Sequence, residues 1–369
     1  MSPFRGPIHL AGACLLLGPC LSCRAEVAAP RERLPNVVLI VIDTLRADHL
    51  GCYGYGRDTS VNIDRLAARG VLFERCYSPA SWTVPAVVSM FTGLLPAAHR
   101  VSHLDDVPPS MTMLAEHFRR IGYVCGGVVS NPHLLTKYGY GRGFHFYDDT
   151  SAFPKDDKTQ INAVVTGGIV TDEATNIVQR GAATGKPLFL YCLYFDPHDH
   201  YVPPPPYDTR FDPDFEGTVE VEKVALERNR VPPPRELEHL VALYDGEIAY
   251  TDFEVGRLLA FVDEHLDPLN TIVIVTADHG EAFGEHRVMA HGNNTNVEEV
   301  HVPMIWRWTG RFPEGYRVRA PVSLLDIPAT LDAIVGFDDF RRLQGTPLNG
   351  ALRGRKLPAD RIVFSQRAY

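Results

Sequence analysis

Asn36-Val37-Val38-Leu39-Ile40-Val41-Ile42, closed by Asp43, is an unbroken apolar run rich in β-branched residues. A strand with one wet face would alternate polar and apolar residues, so a continuous run reads as a strand buried on both faces of a parallel sheet. Similar runs recur at Tyr123 to Val129, Pro187 to Leu193 and Thr271 to Thr276. Helical patterns fill the gaps: Asn62 to Arg69, Met113 to Arg120, Asp172 to Arg180, Glu236 to His265 and Leu325 to Val335. Strands alternating with helices predict a layered α/β fold built on a largely parallel sheet. The proline-rich piece Tyr201 to Tyr207 and the charged stretch to Arg235 read as a loop excursion walling one side of a cleft. A polyproline ligand is the rival reading of that piece.

The chain has 369 residues, 45% hydrophobic and 22% charged, enough to bury a large core. A net charge of −9 argues against a general nucleic-acid binder, which needs a basic face. Arg5 followed by the short apolar segment Ala11 to Gly18 reads as an export signal within residues 1–29, with Cys23 as a candidate lipidation site anchoring the chain to a membrane. The expected location is therefore the periplasm, a membrane surface or the exterior. Past the leader, Cys52, Cys76, Cys125 and Cys192 lack the close pairing of a zinc knuckle or redox motif. One or two disulfides stay open for an exported chain, although Cys125 and Cys192 lie in apolar runs and read as buried thiols.

Ligands of an open α/β sheet sit at the carboxyl ends of its strands, so polar residues just after the apolar runs are the ones to inspect. There are four such places: Asp43-Thr44, Asn131-Pro132-His133, Asp196-Pro197-His198-Asp199-His200 and Asp278-His279-Gly280-Glu281. Asp43, Asp278 and His279 supply two hard oxygen donors and an imidazole, a set suited to a divalent ion. Thr83, two residues before Pro85 in Ser81 to Gly93, stands at a predicted helix start. It reads either as an N-cap or as a nucleophile aimed at an anion held by the positive end of the helix. His99, His103 and His200 read as surface or capping residues, Arg46 with Asp48 as an ion pair in the loop after the first strand, and Tyr53 and Tyr55 as core aromatics that also suit a cleft wall.

These segments, in order from about Pro35 to Leu348, resemble the sulfatase family of the alkaline phosphatase superfamily. The carriers are Val38 to Gly54, Asn62-Ile63-Asp64, Thr83 to Gly93 and Thr276-Ala277-Asp278-His279-Gly280-Glu281. The resemblance implies a three-layer α/β fold with a central, largely parallel sheet flanked by helices, a catalytic domain over 35–350, and a reduced or missing C-terminal subdomain over 351–369. It implies one divalent metal ion, calcium, magnesium, manganese or zinc, held by Asp43, Asp278, His279 and Thr83. His198, His291, His133 and Asn131 match positions around the transferred group, and Glu281 an orienting partner. The pattern departs from the family at several points. Thr44 stands where a second aspartate is usual, Asn131 where a lysine is, Val87 where an arginine is, and Thr83 where cysteine or serine is converted to formylglycine. Threonine there resembles the superfamily's phosphodiesterases and its phosphoglycerol or phosphoethanolamine transferases. The expected function is hydrolysis of sulfate or phosphate esters on a small molecule, glycan or lipid headgroup. A lipid-headgroup transferase and a catalytically silent ligand-binding relative are the alternatives.

Overall fold

Strand β1 (Asn36–Ile42) forms as the apolar run predicts, and all but its first residue are buried. The computed structural model describes residues 1–3, 6, 33–102, 105–151, 153, 166–219, 230–337 and 343–367. Most of the expected leader, Cys23 included, lies outside the described residues, as does His103. Met1–Arg33 and Leu34–Tyr369 are separate units, and the architecture below belongs to the second.

β1 is joined by β2 (Val71–Phe73), β3 (Val124–Val129), β4 (Phe146–Asp148), β5 (Leu188–Tyr194), β6 (Thr271–Ala277), β7 (Met304–Arg307) and β8 (Tyr316–Val318) in one eight-stranded sheet. Its order is β8-β2-β7-β6-β1-β5-β3-β4. The block β6-β1-β5-β3-β4 is parallel throughout, and β7 runs antiparallel to both β6 and β2. The short outer strands β2, β4 and β8 carry only three residues each, too few for a clear sequence pattern.

Six principal helices cover the sheet: α1 (Val61–Ala68), α2 (Thr83–Thr92), α3 (Leu114–Arg120), α4 (Gly167–Ala182), α5 (Pro234–His265) and α6 (Asp326–Val335). Alternation along β5 separates the two faces. Phe189 stacks on Phe118 of α3 at 4.3 Å between ring centroids, and Tyr191 meets Phe91 of α2 at 4.8 Å. Tyr194, of opposite parity, turns to the other face and shares a 2.9 Å hydrogen bond with Thr171 of α4. α5, 32 residues long, packs along α4. The result is helix, sheet, helix.

Close approach of α4 to the sheet depends on Gly126 of β3. A Cβ at that position would lie 2.1 Å from Cγ2 of Ile177 in α4. Gly126→Val is therefore expected to lower unfolding free energy by about 1–3 kcal/mol through overpacking, read as a shifted urea midpoint.

The proline-rich piece is a packed wall and not a free ligand. Tyr201 is buried against Tyr244 and Phe283 at 5.7 and 5.5 Å, and the Val202 amide donates to Glu247 of α5. Residues 220–229 of the excursion lie outside the described residues. Cys52, Cys76, Cys125 and Cys192 are all free thiols, so the disulfide alternative is not realised among them. Tyr53 is tied to the core on both sides, donating to the Phe73 carbonyl and accepting from the Met304 amide. In the C-terminal segment, Leu348, Ala351 and Leu352 are buried, Arg361 pairs with Asp326 of α6, and the Gln366 amide donates to the Pro79 carbonyl. No described helix is long and apolar enough to cross a membrane.

His99 corrects the surface reading given above. It is buried at the end of the short helix Pro96–His99. Its Nδ1 accepts from the Val101 amide at 3.0 Å, which places the ring proton on Nε2 facing the Pro85 carbonyl and Ser89 Oγ. Burial lowers its pKa to about 4. A folded pKa below the unfolded one gives stability that is present above about pH 6.5 and lost as pH falls toward 4. The loss reaches about 3 kcal/mol at its limit. Urea unfolding at pH 7.5 and 4.5 should show wild type losing more stability on acidification than His99→Gln.

Candidate active site

The register of β1 with its neighbours builds the centre of the site. Ile42 pairs with Ala277 on one side and with Tyr194 on the other, so Asp43, Asp278 and Phe195 leave the sheet side by side. Ser130 and Asn131 follow β3 in the same way, beyond the pair Val129 with Leu193. Four strand ends thus deliver the polar segments to one edge, as the rule for parallel sheets requires.

Asp43, Asp278 and His279 are fully buried and bring three ligand atoms within 4.8 Å of one another. His279 Nε2 lies 3.4 Å from Asp43 Oδ1 and 3.6 Å from Asp278 Oδ2. Neither of those carboxylate oxygens has a hydrogen-bond partner. Two unsatisfied buried carboxylate oxygens beside an imidazole nitrogen are costly without a cation. His279 Nδ1 lies 3.0 Å from the Gly280 carbonyl, which can only accept; the ring proton is therefore on Nδ1 and the lone pair on Nε2 faces the carboxylates. The donor set fits a divalent ion. Burial first, and the nearby Asp278 charge second, raise the Asp43 pKa well above the usual carboxylate range, opposed by His198 and by the Asn131 amide.

Thr83 completes this group. The residue capping α2 is Trp82, in extended conformation and with no side-chain cap bond, and Thr83 is the first helical residue. Its hydroxyl therefore does not cap the helix. Oγ1 lies 3.2 Å from His279 Nε2 and 3.4 Å from Asn131 Nδ2, and the same Asn131 amide donates to Asp43 Oδ2 at 2.6 Å. The Asn131 side chain is fixed in turn by the His133 amide, which donates to its Oδ1 at 2.8 Å.

His291 and His198 form the next wall. The His291 ring lies 4.4 Å from that of His279 and 4.9 Å from that of His198, edge to face with the latter. His291 Nδ1 meets Glu281 Oε1 at 3.0 Å, so Glu281 holds the His291 ring. Burial, then the Asp199 charge, set the Glu281 pKa at about 7. His198 stacks on Phe195 and pairs through Nδ1 with the Asp199 carboxylate at 2.8 Å. Although burial opposes its charge, the carboxylates of Asp199, Asp43 and Glu281 raise the His198 pKa to about 10. His133 approaches through Trp82, whose ring lies between those of His133 and His291 at 5.6 and 5.9 Å.

Every sequence-selected site residue thus gathers at this edge, with His133 the most peripheral. Asp196 does not join them; it accepts from the Thr166 amide and hydroxyl at the start of α4. Arg46 pairs with Asp48 as expected and also with Glu285, and its guanidinium donates to the Glu281 carbonyl. Thr44 takes a left-handed conformation at φ 54°, rare for a β-branched residue, with its carbonyl accepting from Tyr244. Sequence reasoning missed Trp82 and Asp199. Trp82 immediately precedes Thr83, and Asp199 sits between His198 and His200, so adjacency was the available signal.

A family model described as sulfatase matches residues 35–337. Human iduronate 2-sulfatase is 26% identical over 365 residues, covering 82% of this chain and 64% of that protein. The chain thus spans less than two thirds of that relative's length. Among solved structures, the phosphonate monoester hydrolase of Agrobacterium radiobacter superposes with a TM-score of 0.72 at 22% identity, over 89% of this chain and 79% of that one. A structure in complex with its substrate D-glucosamine-2-N,6-O-disulfate also gives a TM-score of 0.72, at 17% identity, over 89% of this chain and 82% of that one. The two structural likenesses show the shared fold.

Proposed function

Because this chain belongs to the sulfatase family, we propose that it is a metal-dependent hydrolase of anionic esters in which Thr83, and not a formylglycine, is the nucleophile. The observation that carries the reading is the position of Thr83 Oγ1, uncommitted to capping and within 3.4 Å of both His279 and Asn131.

Asp43, Asp278 and His279 would hold the divalent ion, with Thr83 Oγ1 beside it. A divalent ion there supplies positive charge that lowers the hydroxyl pKa and takes up charge on the transferred group. Asn131 donates toward Asp43 and toward the hydroxyl, holding both in register. Oγ1, its proton released to solvent before the attack, adds to the phosphorus or sulfur atom, forming one ester bond while the bond to the departing alcohol breaks and its electron pair stays on the alcohol oxygen. His198, kept cationic by its carboxylate neighbours, is the acid that protonates that oxygen. Neutral His198 then takes a proton from the water that hydrolyses the threonine ester, which restores both residues. The first turn of α2 adds unpaired amides that favour negative charge at the reacting group.

Threonine favours phosphorus, since the formylglycine route is closed to it. The names of the relatives, one acting on iduronate 2-sulfate and one bound to a glucosamine disulfate, support a sugar-borne ester. Purified protein reconstituted metal by metal should be assayed on matched aryl sulfate, phosphate monoester, phosphodiester and phosphonate substrates. Higher kcat/KM on a phosphorus ester supports the reading; preference for sulfate over all of them would reject the phosphorus assignment.

A further inference from the structure

A cavity of about 380 Å³ is walled by Pro85 of α2, Pro96 and Val101, with Arg100, Gln366 and Arg367 supplying polar groups. Pro85 is two residues beyond Thr83, about 200° further round the helix, so this cavity stands on the opposite side of α2 from the nucleophile. Among the described residues no carboxylate lines it, and neither Arg100 nor Arg367 forms an ion pair. We infer that this cavity is a ligand site separate from the catalytic centre, which takes a sulfate, phosphate or carboxylate group borne on a sugar or aryl ring.

The chemistry of the lining selects that class. Two guanidiniums lining one space repel each other, and an anion between them replaces that repulsion with two charge-assisted pairs. Their planar, forked donors match the oxygens of all three anions. Gln366 adds a further donor: its Oε1 is taken up by the Ala97 amide at 3.0 Å, which leaves the side-chain NH2 for the occupant. The proline and valine walls are apolar and the volume suits a small molecule, so the anion's carrier is a compact ring and not a bare ion.

Both walls are held in place by the fold. Arg100 caps the short helix Pro96–His99 in the left-handed conformation, φ 58°, with its amide on the Pro96 carbonyl at 2.8 Å. Glycine takes that backbone without strain, so what arginine adds there is its guanidinium. The facing wall is the C-terminal segment. It is pinned by the Gln366 amide on the Pro79 carbonyl at 2.8 Å and by Ser365 Oγ on the Ser78 carbonyl at 2.6 Å. Arg367 follows directly, which brings both arginines to the same preformed space.

Arginine footprinting of the full-length protein tests the site without turnover, so its outcome is independent of the role given to Thr83. Phenylglyoxal labelling, mapped by peptide mass spectrometry, is compared with and without benzenesulfonate, which has no ester bond to cleave. At about ten times its dissociation constant this probe should slow labelling of Arg100 and Arg367 together by about tenfold, leaving the exposed Arg69 and Arg120 unchanged. Neutral benzenesulfonamide should protect neither, and inorganic sulfate only at higher concentration. Arg100→Gly, in which glycine suits the backbone, and Arg367→Gln should each move protection of the remaining arginine to at least about tenfold higher probe concentration. Labelling of Arg100 and Arg367 untouched by benzenesulfonate, or slowed no more than that of Arg69 and Arg120, would overturn the site. Equal protection by sulfate would overturn the ring as part of its ligand. The source of the anion is read from KM of the metal-loaded enzyme on a sugar ester carrying a second sulfate, an arm that rests on the ester-hydrolase reading. A rise in Arg100→Gly identifies that sulfate as the occupant, and an unchanged KM identifies a separate molecule.

Discussion

Thr83→Ala is expected to lower kcat/KM on the best ester substrate by at least about 10³-fold, with the fold retained. The separation of the two effects follows from the structure. A hydroxyl capping its helix would cost about 1 kcal/mol when removed. Thr83 Oγ1 makes no such bond, because Trp82 occupies the cap position and the hydroxyl faces His279 and Asn131. Thr83→Ala should therefore unfold in urea within about 1.5 kcal/mol of wild type, the cost of giving up the buried contacts with His279 and Asn131. Thr83→Ser keeps the oxygen and should retain measurable turnover. A large stability loss in Thr83→Ala with proportionate loss of activity would return Thr83 to a structural part.

Chelation carries the second large effect. Asp43 and Asp278 are fully buried, and one oxygen of each lacks a partner, so the ion-free chain holds two uncompensated carboxylates. An ion present at about a thousand times its dissociation constant adds about 4 kcal/mol. For a domain of this size a lower Tm by roughly 6 °C should follow its removal. The sign with pH is also set. The folded-state pKa of Asp43 is raised, by burial first and by Asp278 second. In the ion-free chain its contribution is therefore present below the unfolded carboxylate range and lost as pH rises through the folded value. In the loaded chain a proton competes with the ion for the same oxygen, so apparent affinity should weaken on acidification. Asp278→Asn removes the like charge beside Asp43. The ion-free variant should melt above ion-free wild type, and its Tm should respond less to chelator. Calorimetry with and without chelator at pH 6 and 8 reads all three outcomes; a Tm unmoved by chelator would count against a cation between Asp43 and Asp278.

The inner strands and the buried carboxylates of the candidate metal cluster were legible because one physical rule produces both. A strand buried on both faces must be continuously apolar, and the first polar residue after it must lie at the sheet edge where ligands collect. Asp43 and Asp278 satisfy that rule without any knowledge of pairing, and register then places them side by side. The role of Thr83 was not decidable in the same way. Serine-like residues before a helix are caps by default, and only the extended backbone of Trp82 shows that the helix begins at Thr83 itself, one residue earlier than a Thr83 cap would need. His99 was misread because a lone histidine carries no periodic signal, and its burial depends on Ser89, ten residues away on α2. Asp199 was overlooked since its partner is its own neighbour, and pairing of His198 with it becomes visible only once the loop conformation is known. The short strands β2, β4 and β8 are specified by the neighbours they join more than by their own three residues.

The most direct test of covalent attack by Thr83 is mass spectrometry of the peptide containing Thr83 after rapid acid quench during turnover. His198→Gln should be included with an aryl ester whose alcohol departs without an acid, because there the loss of its proton-accepting group slows only release of the threonine ester. The account predicts an added phosphoryl or sulfuryl group on Thr83 that accumulates in the His198→Gln protein and is absent from Thr83→Ala. A pre-steady-state burst of product with Thr83 unmodified, or an adduct mapped to another side chain, would contradict it.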